Sequence, residues 1–273
     1  MIEHPLDGHP PLAYQNEAFL NTPSARTLRM LAEYLEPQSR LRRENIQDTI
    51  VFFGSARIHS PESIASAASP AKAVAMARYY EDARELARQL TAWALALPRQ
   101  RRRFVITSGG GPGIMEAANR GAHEAGGKTM GLNIRLPFEQ APNPYVSPEL
   151  NFDFHYFFMR KFWFAYLAKA LVAFPGGFGT LDEVMEILTL AQTQKLNKKM
   201  VIVLYGRSYW EQIVNFPALV DWGMIAPGDL DLFQFADTPA DAFAHLTSEL
   251  DRLYLKPAAP PEEETPAIAQ TRN

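Results

Sequence analysis

Short apolar runs alternate with stretches of helical period along most of the 273 residues. Residues 49–53, 104–107, 128–134, 170–174, 200–205 and 233–236 are apolar or β-branched runs, too short for helices and suited to buried strands. Between them, 71–97, 114–125, 180–195, 209–222 and 239–255 repeat their apolar residues every three or four positions, as a helix with one buried face does. On 71–97 that face is Ala75, Tyr79, Leu86, Leu90 and Trp93; on 180–195 it is Val184, Ile187, Leu188 and Ala191. Strand and helix in alternation predict an α/β fold: a Rossmann-like doubly wound parallel sheet with helices on both faces. Residues 24–45 predict an N-terminal helical extension, kinked or split at Pro37, with Leu28, Leu31, Leu35 and Leu41 on a stripe that packs on its own core or on a second subunit. Residues 151–169 read as an aromatic-rich helix feeding the strand at 170. The expected organisation is an irregular arm and extension over 1–48, a sheet domain over 49–256 and a disordered, proline- and glutamate-rich tail over 257–273.

Two places break this pattern in the same way. After the strand at 170–174 come Pro175, Gly176, Gly177 and Gly179, and the helical period begins at Thr180. After the strand at 104–107 come Ser108, Gly109, Gly110, Gly111, Pro112 and Gly113, and a helix resumes at Ile114. A strand, a small-residue turn and a helix start point unpaired backbone N–H groups and a positive dipole end at one spot, which suits phosphate. Both turns fall at the carboxyl edge of the sheet, where open α/β folds hold ligands. Neither matches G-x-G-x-x-G cleanly, and no Gly-Lys-Ser/Thr follows, which disfavours a dinucleotide site and a P-loop. Thr180 and Glu183 are spaced as a capping box; the other reading of Glu183 is a carboxylate acting on the ligand just beyond the phosphate. Glu116, in the first turn after the other glycine run, is either a partner for the helix dipole or a ligand contact. Ser55 and Arg57, in the small-residue turn after the first strand, are a further candidate anion contact.

Composition narrows the chemistry. With no cysteine, disulfides, thiolate metal sites and a cysteine nucleophile are excluded. No His/Asp/Glu cluster at ligand spacing argues for a metal. A net charge of -3 gives no general reason to expect nucleic acid or an anionic membrane. The four arginines of 99–103 read as a solvated helix end. No apolar run approaches the ~20 residues of a membrane span, and the acidic, proline-broken start does not read as a signal peptide. The expectation is a cytoplasmic enzyme or binding protein. Arg160-Lys161, set among six phenylalanines, two tyrosines and a tryptophan in 151–169, stands out, because a cation among aromatics needs an anionic or backbone partner. The 135–150 segment, with four prolines, reads as a loop overhanging the site.

With these motifs placed, the chain resembles the LOG ("Lonely Guy") family. PGGFGTLDE at 175–183 matches its PGGxGTxxE signature, Met159-Arg160-Lys161 its upstream arginine–lysine pair, and SGGGPGIMEAAN at 108–119 its glycine-rich loop, over about residues 49–255. The resemblance implies hydrolysis of the N-glycosidic bond of a purine or cytokinin nucleoside 5'-monophosphate to base and ribose 5-phosphate, without a cofactor or metal. It implies Arg160 and Glu183 as the catalytic pair, with Gly176, Gly177, Gly179 and Thr180 holding the 5'-phosphate. Lys161 and Asp182 would complete the nucleotide pocket, with Gly109, Gly110 and Gly111 beside it, and a homodimer is the family-like assembly, 152–166 being the candidate interface. The chemistry is consistent: an oxocarbenium-like ribose calls for a carboxylate that stabilises it or activates water, and a cation is better placed orienting that carboxylate, the ribose hydroxyls or the phosphate. Two rivals stand beside this reading. A nucleotide-binding sensor of the same fold would bind without cleaving. A pyridoxal-phosphate decarboxylase, the family's old label, would need a Schiff-base lysine; Lys161, Lys169 and Lys195 are candidates by proximity alone.

Overall fold

The computed structural model describes residues 10–65, 71–98, 101–135, 141–196 and 198–256. In chain order these form α1 (Glu17–Leu20), α2 (Arg26–Arg43), β1 (Thr49–Phe53), α3 (Pro61–Ala65), α4 (Ala71–Met76), α5 (Arg78–Ala96), β2 (Val105–Ser108), α6 (Ile114–Glu124) and β3 (Thr129–Ile134). There follow β4 (Asn151–Phe154), α7 (Phe157–Leu167), β5 (Ala168–Ala173), α8 (Phe178–Gln192), β6 (Val201–Tyr205), α9 (Arg207–Ile213), α10 (Phe216–Asp221), β7 (Gln234–Ala236) and α11 (Pro239–Leu250). The strands make one seven-stranded sheet in the order β4-β3-β2-β1-β5-β6-β7, with every pairing parallel. The chain winds outward from β1 to β4, then crosses back to place β5 on the other side of β1. The carboxyl ends of β1 and β5 therefore form the switch point, where the connections diverge and a crevice opens.

Successive side chains of each central strand go to opposite faces. Ile50, Phe52, Val172 and Val203 meet Leu86, Leu90, Ala117 and Leu246 on one face. Val51, Phe53, Leu171 and Ile202 meet Leu41, Trp163, Phe164 and Ile187 on the other. Both faces are covered, as a doubly wound sheet requires.

Several boundaries differ from the expected ones. The first four residues of 151–169 are a strand, because Phe152 and Phe154 point inward while Asp153 points out; this period of two is masked by the aromatics that follow. The predicted helix over 71–97 is two helices, broken at Ala77, and Ala75 lies on the exposed side. That over 209–222 breaks before Asn215, whose side chain caps α10 by accepting from Ala218 N at 3.1 Å. The helix predicted over 239–255 ends at Leu250 and closes in a single wider turn, Asp251–Leu255. The segment between β1 and α4 holds α3, and the arm holds α1. Residues 1–9, 66–70, 99–100, 136–140, 197 and the proposed tail at 257–273 lie outside the described residues.

Pro37 does not split α2, which runs unbroken across it. A proline frees the carbonyl four residues back, here that of Glu33, and the indole Nε1 of Trp163 donates to it at 2.9 Å. The Glu33 carboxylate accepts from the backbone N–H groups of His155 and Tyr156, and Arg40 donates to Asn151 O at 2.8 Å. Polar anchors thus hold α2 against β4 and α7. The expected stripe packs only at its end: Leu41 is buried, whereas Leu28, Leu31 and Leu35 are 49%, 49% and 54% exposed.

Candidate active site

Three loops are stitched together at the switch point. Ser55 N donates to Pro175 O at 3.0 Å and Ile114 N donates to Ser55 O at 3.1 Å. The turn after β1 thereby joins the turn after β5 and the start of α6. α8 begins at Phe178, with Gly177 as N-cap and no side chain bonded to its first turn. The capping box expected from Thr180 and Glu183 is absent: Thr180 is already inside the helix, and Glu183 faces away from the cap. The orphan N–H groups of this helix start are consequently left for something other than the protein.

The glycines around this point differ in what demands them. A Cβ at Gly176 would strike the Thr180 side chain, and one at Gly109 would lie 2.5 Å from the Arg160 guanidinium and 2.6 Å from Met115 Sδ. Gly177 and Gly179 have no neighbour within 4 Å of such an atom and no positive φ. Neither packing nor strain calls for glycine at 177 and 179; bare backbone there leaves the helix start open to the cleft.

Arg160 comes from α7, whose turn against β3 sets its Nε 2.7 Å from Leu132 O. Its Nη1 donates to Glu183 Oε1 at 3.2 Å, and its guanidinium lies 4.9 Å from the Phe164 ring centre. The two side chains are only 11% and 15% exposed. Burial raises the Glu183 carboxyl to about 7, against the opposing pull of Arg160. Burial likewise lowers the guanidinium, which Glu183 in turn supports. The result is a carboxyl that changes charge near neutral pH, at the wall of a cleft, beside a fixed cation.

That cleft is a cavity of about 300 Å³ lined by Ser55, Arg57, Gly109, Gly111, Gly177, Gly179, Thr180, Arg160 and Glu183. Gly176 sits one residue behind it, in the adjoining wall. Other expected residues are elsewhere. Lys161 is bonded to Asp182 at 2.7 Å and to Glu186 at 3.1 Å, outside the cleft. Glu116 accepts from the Tyr80 hydroxyl at 2.7 Å and does not line it. Of the candidate Schiff-base lysines, none lines the cleft: Lys169 lies under the Tyr254 ring at the start of β5, and Lys195 follows the far end of α8. Among the described residues no group of three His, Asp or Glu is placed to hold a metal, and no helix is long and apolar enough to cross a membrane. Asn133, Met115 and Phe157 line the cleft and were not singled out from sequence; Asn133 lies one residue before the end of β3 and Phe157 opens α7, element ends that a boundary reading could have flagged.

Gly110 and Ser108 act beneath the cleft. Ser108 Oγ accepts from Gly110 N at 3.1 Å and donates to Asn119 Oδ1 at 2.7 Å. Asn119 Nδ2 donates to Thr129 Oγ1 and Met130 O, while Asn143 Nδ2 donates to Gly110 O, Gly111 O and Asn119 Oδ1. The overhanging loop thus reaches back through Asn143 to hold the first glycine turn, with Gly110 at φ +74°. All of these side chains are buried. Asn119→Ala should cost about 2 kcal/mol or more, because several buried groups lose partners together. A urea midpoint lowered at unchanged slope is the expected reading, and an unchanged midpoint would contradict it.

The family described as "Possible lysine decarboxylase" matches residues 115–246. The cytokinin riboside 5'-monophosphate phosphoribohydrolase LOG7 of Arabidopsis thaliana is 30% identical over 131 residues, covering 47% of this chain and 58% of that protein. LOG5 of the same plant is 30% identical over 158 residues, covering 57% and 64%. The chain thus spans about three fifths of the length of these curated relatives. Among solved structures, the Moco carrier protein from Chlamydomonas reinhardtii shares 21% identity over 76% of this chain and 99% of that one, with a TM-score of 0.48, too loose a likeness to bear on function. The signature turn and the sequence similarity relate this chain to the LOG family.

Proposed function

We propose that this protein hydrolyses the N-glycosidic bond of a nucleoside 5'-monophosphate. The observation that carries the reading is the Arg160–Glu183 pair, buried in the wall of a cleft whose other wall is the uncapped start of α8. A 5'-phosphate on the N–H groups of 177–180 would bring the ribose past Glu183. There the carboxylate stabilises the oxocarbenium-like ring or activates the attacking water. Arg160 has the wrong charge for the ring, and its role is to hold Glu183 in position and ionised. Remote binding of the phosphate fixes the ring against the carboxylate. The names of LOG7 and LOG5 support this substrate class, and no described lysine in the cleft favours the decarboxylase rival.

Incubation of the purified chain with AMP, GMP and isopentenyladenosine monophosphate, followed by chromatography, is expected to release free base from at least one. Binding without release would instead identify a nucleotide sensor. The proposal includes a homodimer that would cover exposed Phe158 and Tyr166 of α7 and the exposed leucines of α2.

A further inference from the structure

Beside the catalytic cleft lies a second, larger cavity of about 740 Å³. It shares Ser55, Arg57 and Gly177 with the first. Its other lining side chains are apolar: Ile58, Met76, Pro175, Phe178, Leu181 and Ile213. Tyr209 also lines it, with its hydroxyl proton already donated to Gly176 O at 2.5 Å. Phe178, 93% exposed at the first position of α8, stands at the divide.

The residues common to both cavities are those that face an anion at the helix start. Gly177 caps α8, and the Arg57 guanidinium has no acidic partner among the described residues. An anion there sits on the boundary. On the nucleotide reading its sugar side would face Glu183 and its remaining oxygens the apolar cavity. A phosphate monoester leaves that cavity to water, while a group carried on the phosphate enters it directly. The single charge of a phosphodiester also matches one arginine and one helix end better than bare apolar walls match a dianion.

We propose, resting on the nucleotide reading above, that this cavity is a binding site for an apolar or aromatic substituent on the 5'-phosphate. The ligand class is therefore nucleoside 5'-phosphodiesters. Ile213, half exposed at the end of α9 and remote from Arg160 and Glu183, is the lining residue that can be changed with least effect on folding.

The test compares the methyl and phenyl esters of AMP by calorimetry on the full chain. They carry the same charge and differ in apolar area. The phenyl ester is expected to bind at least tenfold more tightly. In Ile213→Ser that preference drops at least threefold with methyl-ester affinity unchanged, and Ile213→Leu keeps it. Equal affinities for the two esters would sink the proposal while leaving the hydrolase reading intact. So would an Ile213→Ser variant that loses AMP itself, because the base would then occupy this cavity. No binding of AMP or either ester would remove the nucleotide site as a whole.

Discussion

Glu183→Gln keeps AMP bound and stops base release. Glutamine preserves the shape and can still accept from Arg160, so the cleft and the phosphate turn are undisturbed. What disappears is the negative charge beside the ribose. A positioned acid–base group is worth about 10²–10⁴ in rate, and loss within that range is expected at pH 8. The pH dependence separates this from a binding defect. The working form is the carboxylate, and burial places its titration at about 7. Wild-type kcat/KM should therefore climb as pH rises from 6 to 8, and the variant's residual rate should lack that limb. Stability runs the other way. A carboxyl raised above its unfolded value of 4.5 favours the fold while protonated, so its contribution is complete below pH 4.5 and is lost as pH rises through 7. The urea midpoint of wild type should fall across that window, and that of Glu183→Gln should fall less. Unchanged turnover in the variant would remove Glu183 from the chemistry.

Arg160→Ala is expected to lower turnover at pH 7 by at least a hundredfold and to move the pH limb upward by more than one unit. Removing the guanidinium takes away the larger of the two charges, the other being Lys161, that hold the buried Glu183 carboxyl down. It also vacates the space against Gly109 and ends the bond to Leu132 O. Breaking a buried pair by deleting one partner costs about 3–5 kcal/mol. Here Glu183 escapes most of that by taking a proton, so about 2 kcal/mol is expected at pH 6 and more at pH 8. Arg160→Lys should not restore activity. A lysine has no rigid fork with which to bond Leu132 O and Glu183 at once. Denaturation at both pH values alongside the pH–rate profile checks this. A normal rate profile in Arg160→Ala would mean that the cation merely packs.

What could be read from sequence follows the range of the interaction involved. The glycine turns, the helix starts behind them and the buried strands are written in neighbouring residues, because backbone freedom, burial period and dipole are local properties. β4 was hidden because its inward Phe152 and Phe154 are flanked by aromatics of the next helix, and period alone does not divide such a run. Pro37 promised a break that Trp163 removes, from 126 positions further along the chain. Lys161 and Asp182 sit beside Arg160 and Glu183 in sequence yet bond to one another outside the cleft, since adjacent positions on a helix point in different directions.

By itself the sequence determined the alternation of strand and helix, the two phosphate-suited turns and the residue types available for chemistry near them. The tertiary structure decided which of those residues meet. Arg160 and Glu183 stand on different helices and pair only because both pack on one face of the sheet beside β5. The apolar cavity beyond the glycine turn at 175–179, the exposed leucines of α2 and the Asn119–Asn143 support of the first turn are likewise consequences of packing. Each depends on distances between elements, and those are fixed by how side chains fill the space between layers rather than by any local pattern.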